Sequence, residues 1–219
     1  MNLEKNISTE NWKPFKGWGN RKDHIVFLIR FNKEIRKKIH EYQKKLLPFN
    51  CFIPFPENYF HITIKPWGFL NKNKENTDDL TQDEINKICK KIQINLKPFE
   101  IKLEGADIFC DVVYLKIKDN GMLKKINQIL IQNDEIPESW RDGNNFIAHC
   151  PLGTFRNKNV GPLSSFIKKH QLPIGKIKIN QFELVIARWD KTAFPLFLPL
   201  KVFSLKKESI ISNKVRKSR

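Results

Sequence analysis

The pattern that most constrains this chain is a tetrapeptide that occurs twice. His61-Ile62-Thr63-Ile64 returns in altered form as His149-Cys150-Pro151-Leu152, 88 positions later. Side chains on a strand alternate between faces. His61 and Thr63 therefore point to one side, and Ile62 and Ile64 to the other. In the second stretch His149 and Pro151 share one side, and Cys150 and Leu152 the opposite one. Each strand buries an apolar face and offers a histidine on the other. The Cys150 thiol points away from His149, which argues against a Cys–His dyad and for a buried cysteine.

The remaining sequence supplies elements to hold two such strands. His24–Phe31 is β-branched and aromatic and predicts a buried strand. Lys33–Leu47 carries Ile35, Ile39, Tyr42 and Leu46 on one stripe, a helix stopped by Pro48. The first motif strand is expected over Tyr59–Ile64, ended by Pro66 and Gly68. Thr81-Gln82-Asp83-Glu84 is a capping box, and its helix places Ile85, Ile88, Cys89, Ile92 and Leu96 on one face. Alternation over Phe99–Glu104 and Val113–Lys118 predicts two half-buried strands placed to pair. Asp119 caps a third helix through Leu123, Ile126 and Leu130. The second motif strand is expected over Phe146–Phe155, and a short helix runs from Pro162 to His170. Alternation resumes from Lys176 to Arg188, and Pro195 and Pro199 mark the last strand as an edge.

This order predicts an α+β domain over residues 23–205, with an N-terminal arm at 1–22 and a basic tail at 206–219. In the arm, Trp12, Phe15 and Trp18 alternate with cations, a pattern that stacks on bases or pins the arm to the core. Lysine and arginine number 40 against 23 acidic residues, a net charge of +17. That excess favours a polyanionic partner such as RNA, and it also fits a compositional bias toward Lys, Ile and Asn. No stretch is apolar enough to span a membrane, and residues 1–10 do not resemble a secretory signal. Four scattered cysteines without a C-x-x-C pair predict reduced thiols in a cytoplasmic protein.

Two imidazoles facing one another suit proton transfer. With ordinary pKa values near ~6.5, one can be neutral and accept a proton while the other is charged and donates one. Each role is worth roughly 100 to 10,000-fold in rate.

The two stretches resemble the H-x-[S/T]-hydrophobic motifs of the 2H phosphoesterase superfamily, which includes the 2'-5' RNA ligase-like proteins and 2',3'-cyclic phosphodiesterases. His61-Ile62-Thr63-Ile64 fits fully, with Gly68 where many members carry a glycine. The second stretch departs at Pro151, where the family has Thr or Ser, and at Thr154, where bacterial and archaeal members often have Arg. The resemblance implies a two-lobed, pseudo-twofold fold whose motif strands face each other across a cleft. It implies catalysis by His61 and His149 on an RNA or nucleotide with a cyclic phosphate end, with Thr63 holding phosphate and no metal or other cofactor. Lys65 and Thr154 are further phosphate-holding candidates and Trp67 a base-stacking one. Thr154 lies an odd number of residues from His149, so it reaches the cleft only if a bulge at Gly153 turns it back. A monomer is expected.

Two other readings compete. A non-catalytic RNA- or nucleotide-binding protein on the same fold is favoured by Pro151, which lacks both hydroxyl and N–H. A two-histidine metal hydrolase ranks last, because no H-x-x-x-H or carboxylate cluster lies near the motifs.

Overall fold

The computed structural model describes residues 21–109, 111–132, 146–155, 160–171, 174–189 and 194–205. In chain order its elements are β1 (Asp23–Arg30), α1 (Lys33–Lys44), β2 (Phe52–Pro54), β3 (His61–Leu70), β4 (Asp79–Leu80), α2 (Gln82–Lys91), β5 (Phe99–Phe109), β6 (Val112–Lys118), α3 (Met122–Ile131), β7 (His149–Phe155), α4 (Gly161–Lys169), β8 (Gly175–Ile179), β9 (Gln181–Arg188) and β10 (Leu196–Ser204). The strands form two five-stranded sheets, β10-β9-β1-β3-β4 and β2-β7-β6-β5-β8. All pairings are antiparallel except β3 with β4. The architecture is α+β and two-lobed, one motif strand to each sheet.

The chain crosses between the sheets, and its helices cross with it. Helix α1 follows β1 of the first sheet but packs on the second, where the Ala106 N–H donates to the Tyr42 hydroxyl at 3.4 Å. Helix α3 follows β6 of the second sheet but reaches the first, where Asn127 Nδ2 donates to the Ile64 carbonyl at 2.7 Å. One apolar core is shared by both lobes, from Ile25, Phe27 and Trp67 to Leu115, Cys150 and Leu163. At ~1.5–3 kcal/mol for each large apolar side chain buried, this shared core ties the lobes together. A smaller cluster of Val26, Leu28, Val185 and Ala187 covers the opposite face of the first sheet.

Several elements match the sequence reading. The Thr81–Glu84 capping box is present in both directions. Strands β5 and β6 pair, and the proline-bearing β10 is an edge. The Asp119 carboxylate accepts the Leu123 N–H at 2.5 Å from two residues before the helix N-cap, Gly121.

Other boundaries differ for physical reasons. Strand β3 does not stop at Pro66 but runs to Leu70. At Pro66 only β1 flanks it, since β4 joins at Phe69, so a missing N–H leaves no ladder bond unmade on the open side. Gly68, at φ +140°, lets the Asp78 carbonyl approach to where a Cβ would meet it at 2.4 Å. Helix α1 ends at Lys44 and α2 at Lys91, while Ile94 and Leu96 are buried from extended chain. The alternation from Lys176 to Arg188 is divided between the sheets, β8 in one and β9 in the other. Strand β4 follows the polar stretch 71–78. The buried Asp79 carboxylate there accepts the backbone N–H groups of Glu75 and Asn76 and both asparagine amides, Asn71 and Asn76. Arg21 pairs with Asp78 and Asp79 and lies 4.0 Å over the Phe69 ring, fixing the chain entering β1. Trp12, Phe15, Trp18 and the basic tail fall outside the described residues.

Candidate active site

His61 opens β3 and His149 opens β7, and the same local device orients both rings. Nδ1 of His61 donates to the carbonyl two residues earlier, Tyr59, at 2.5 Å. Nδ1 of His149 donates to the carbonyl two residues earlier, Ile147, at 2.9 Å. A carbonyl only accepts, so each bond fixes the tautomer in which neutral Nε2 carries the lone pair. The Thr63 hydroxyl, 3.1 Å from His61 Nε2, is placed to donate to it.

The two rings lie within electrostatic range. Burial pushes His61 from 6.5 down to about 4; its bond to the Tyr59 carbonyl opposes this, and the charge of His149 adds to it. Burial also lowers His149, again opposed by its carbonyl bond. Behind them the strands touch: the Cys150 thiol sits at the backbone N–H of His61, and burial pushes that thiol up. Aromatic rings wall both histidines. Tyr59 and Phe197 meet His61 edge-on at 4.8 and 4.9 Å, and Phe109 and Tyr114 meet His149 at 5.0 and 5.7 Å.

Bulges decide where the other candidates point. In β3, Ile64 has no β1 partner, so the phase slips and Lys65 falls opposite Phe27, a core residue. Lys65 has no exposed surface, and the bulge takes it off the face of His61. Trp67 is equally buried, its ring 5.1 Å from Phe27. The geometry therefore gives no support to a phosphate contact from Lys65 or a base contact from Trp67. In β7 the bulge falls at Leu152, which has no β6 partner, and Gly153 pairs with Val113 on the core side. A Cβ on Gly153 would meet the Ile53 carbonyl at 2.3 Å, so only glycine fits there. This slip returns Thr154 to the face of His149, but its hydroxyl donates to the Asp111 carbonyl at 2.6 Å.

Four residues near the site escaped the sequence reading. Arg30 lies directly opposite His61 across β1–β3, and Lys116 directly opposite His149 across β6–β7. Arg30 is tied to Glu183, with Nε 3.0 Å from Oε2. These cations become visible only once the pairing register is known. Gln43 and Asn127 are the buried amides that serve the bulges. Asn127 meets the Ile64 carbonyl, and Gln43 Nε2 donates to the Phe55 and Leu152 carbonyls at 2.8 and 2.7 Å. Both were findable as lone polar residues inside apolar helix stripes, Ile39–Tyr42–Leu46 and Leu123–Ile126–Leu130.

A family profile described as the 2'-5' RNA ligase superfamily matches residues 31–191. A crystal structure described as a phosphoesterase superposes with a TM-score of 0.66 at 17% identity, covering 85% of this chain and 99% of its own. LigT of E. coli, crystallised with 3'-AMP, gives a TM-score of 0.61 at 17% identity, covering 86% of this chain and 100% of its own. TT0787 of Thermus thermophilus gives 0.61 at 19% identity, covering 83% and 97%. At these identities the likeness is one of fold.

Proposed function

The chain belongs to the 2'-5' RNA ligase superfamily, and on that premise we propose that it opens 2',3'-cyclic phosphate ends of RNA or nucleotides by metal-independent, two-histidine acid–base catalysis. The observation that carries this reading is the matched pair of Nδ1–carbonyl bonds, which leave the Nε2 atoms of two electrostatically coupled histidines for chemistry. Water attacks phosphorus as its proton passes to one imidazole. The bond from phosphorus to the ribose 3' oxygen breaks as the other imidazole protonates that oxygen, leaving a 2'-phosphate. Run in reverse with a 5'-hydroxyl as nucleophile, the same groups make a 2'-5' linkage.

We assign the acid and base roles by burial. His61, pushed down to about 4 by burial, stays neutral through the ordinary pH range, which suits the base. His149 is the more exposed, and a bound phosphate anion opposes the lowering that burial imposes on it, which suits the acid. Thr63 turns its hydroxyl from Nε2 to a phosphate oxygen when substrate arrives. That LigT was crystallised with 3'-AMP supports a nucleotide ligand for this fold.

The test is an assay of 2',3'-cyclic mononucleotides and cyclic-ended RNA, with EDTA present and products identified. His61→Ala and His149→Ala are each expected to lose about 100-fold or more in kcat/KM. Retention of more than about a tenth of the wild-type rate by either variant removes that histidine from the mechanism. A second reading, a binding protein without turnover, is favoured by Pro151 together with the Thr154 hydroxyl already engaged by Asp111. Binding of a cyclic-ended oligonucleotide with no turnover of any cyclic phosphate would establish it.

A further inference from the structure

Strand pairing builds a row of like charges beside the second motif. Lys116 sits opposite His149. Two residues along β6, on the same face, Lys118 sits opposite Lys102 of β5, and Lys102 sits opposite Lys176 of β8. Side chains directly opposed across antiparallel strands have Cβ atoms about 4.5–5.5 Å apart, and like charges there destabilise a sheet. Three lysines in one row across three strands therefore cost the fold stability. Their backs are set by the core, because Leu103 and Ile117 pair on the buried side. All three lysine heads are on the exposed side, with Lys178 one step further along β8.

The carboxylates nearby do not neutralise the row. Glu104 lies 3.5 Å from Lys102 and Glu100 lies 3.9 Å from Lys176, both as exposed pairs worth little in water. Lys116, Lys118 and Lys178 have no ion pair among the described residues. Sheet one differs: Arg30 is held by Glu183, and Arg188 by both oxygens of Asp23 at 2.7 and 2.8 Å. The row beside His149 thus keeps charge of the kind that Glu183 and Asp23 pair off at Arg30 and Arg188.

We propose that this row is the backbone track for an RNA strand that leaves the cleft at Lys116 and crosses the second sheet over Lys118, Lys102 and Lys176. From β7 to β8 is three strand spacings, or roughly 14 Å, enough to engage phosphates beyond the reacting one. The proposal rests on the functional reading above for where the strand begins, and it makes the substrate an oligonucleotide rather than a mononucleotide. Phosphate contacts of this kind position a strand without reading its sequence.

The experiment measures binding of a fluorescent single-stranded RNA ending in a 2'-phosphate, across a range of salt, to the full chain. Wild type is compared with Lys102→Glu/Lys118→Glu/Lys176→Glu and with Lys33→Glu/Lys37→Glu/Lys45→Glu, which makes the same charge change on and just after α1. Losing three phosphate contacts on a single strand should flatten the plot of log K against log salt by about 2. Affinity at moderate salt should fall about tenfold or more in the sheet variant, and clearly less in the α1 variant. The ratio of kcat/KM for cyclic-ended RNA over cyclic mononucleotide should fall in parallel. Equal losses in the two variants, or an unchanged salt slope in the sheet variant, would overturn the track. Circular dichroism and melting confirm that both variants fold; Lys→Gln at the same three positions repeats the test without reversed charge. Because the binding arm needs no turnover, a track that survives alongside an inactive wild type would sink the catalytic reading alone.

Discussion

Strands β3 and β7 perform the same task with different materials. Both open with a histidine whose Nδ1 donates to the carbonyl two residues back, and both carry a bulge at the fourth motif residue, Ile64 or Leu152. Both bulges are served by an amide from a helix that belongs in sequence to the other half. The differences lie in what surrounds the ring. His61 is 5% exposed, has a hydroxyl at Nε2, and faces a cation tied to a carboxylate. His149 is more open, has Pro151 where the hydroxyl would be, and faces a lysine with no ion pair among the described residues. Orientation of the imidazoles is thus common to both halves. On the proposed reading, phosphate binding would lean on Thr63 in one half and on lysine charge in the other.

Breaking the Thr63 side should have the larger effect. Thr63→Ala removes a hydrogen bond to a charged group, typically ~1.5–3 kcal/mol, or roughly tenfold to above a hundredfold in kcat/KM. Thr154→Val should cost less, because its hydroxyl already serves the Asp111 carbonyl. Steady-state kinetics on one cyclic substrate decide this; a silent Thr63→Ala beside an inactive Thr154→Val reverses the assignment. Pro151→Thr should sharpen the comparison by restoring a donor beside His149, raising kcat/KM by up to about tenfold.

The shared bulge device predicts matched losses of stability. Asn127→Leu strands the buried Ile64 carbonyl, and Gln43→Leu strands that of Phe55, each costing about 1–3 kcal/mol in denaturant unfolding. The Leu152 carbonyl keeps the Phe55 N–H at 2.9 Å, so Gln43 belongs at the lower end. Values below about half a kcal/mol would mean that the bulges hold without their amides. The buried histidines add a dependence on pH. Folded His61 titrates at about 4 and the unfolded residue near 6.5, so the unfolded chain binds more protons between those values. The His61 contribution to stability should therefore fall as pH drops from 6.5 toward 4 and be fully lost below. His61→Asn should lessen that fall; His24, also lowered to about 4 by burial, keeps its own share.

Much of this was legible in the sequence because period and chemistry agreed. The alternation of His61-Ile62-Thr63-Ile64 places its residues on the faces they occupy, and the buried Cys150 follows from the same parity. Parity fails wherever a strand slips. Lys65 would share the face of His61 on a regular strand, and Thr154 would oppose His149; one bulge in each strand inverts both. Glycine at position 153 hinted at the second bulge, whereas nothing in Ile64 marks the first. Arg30 and Lys116 were hidden for another reason: a cross-strand neighbour is a property of register between distant segments, which local alternation does not encode.

On the proposed mechanism, two histidines lowered by burial divide the acid and base roles. The pH dependence of kcat/KM on a 2',3'-cyclic mononucleotide reports the free enzyme's acid and base directly. With His61 at about 4 as base and His149 below its ordinary 6.5 as acid, the profile should be a bell with its maximum on the acid side of neutrality. Its alkaline limb should fall about tenfold per pH unit above 6.5 and its acid limb below about 4. A rate that is flat from pH 5 to pH 8 would rule out acid–base catalysis by this histidine pair.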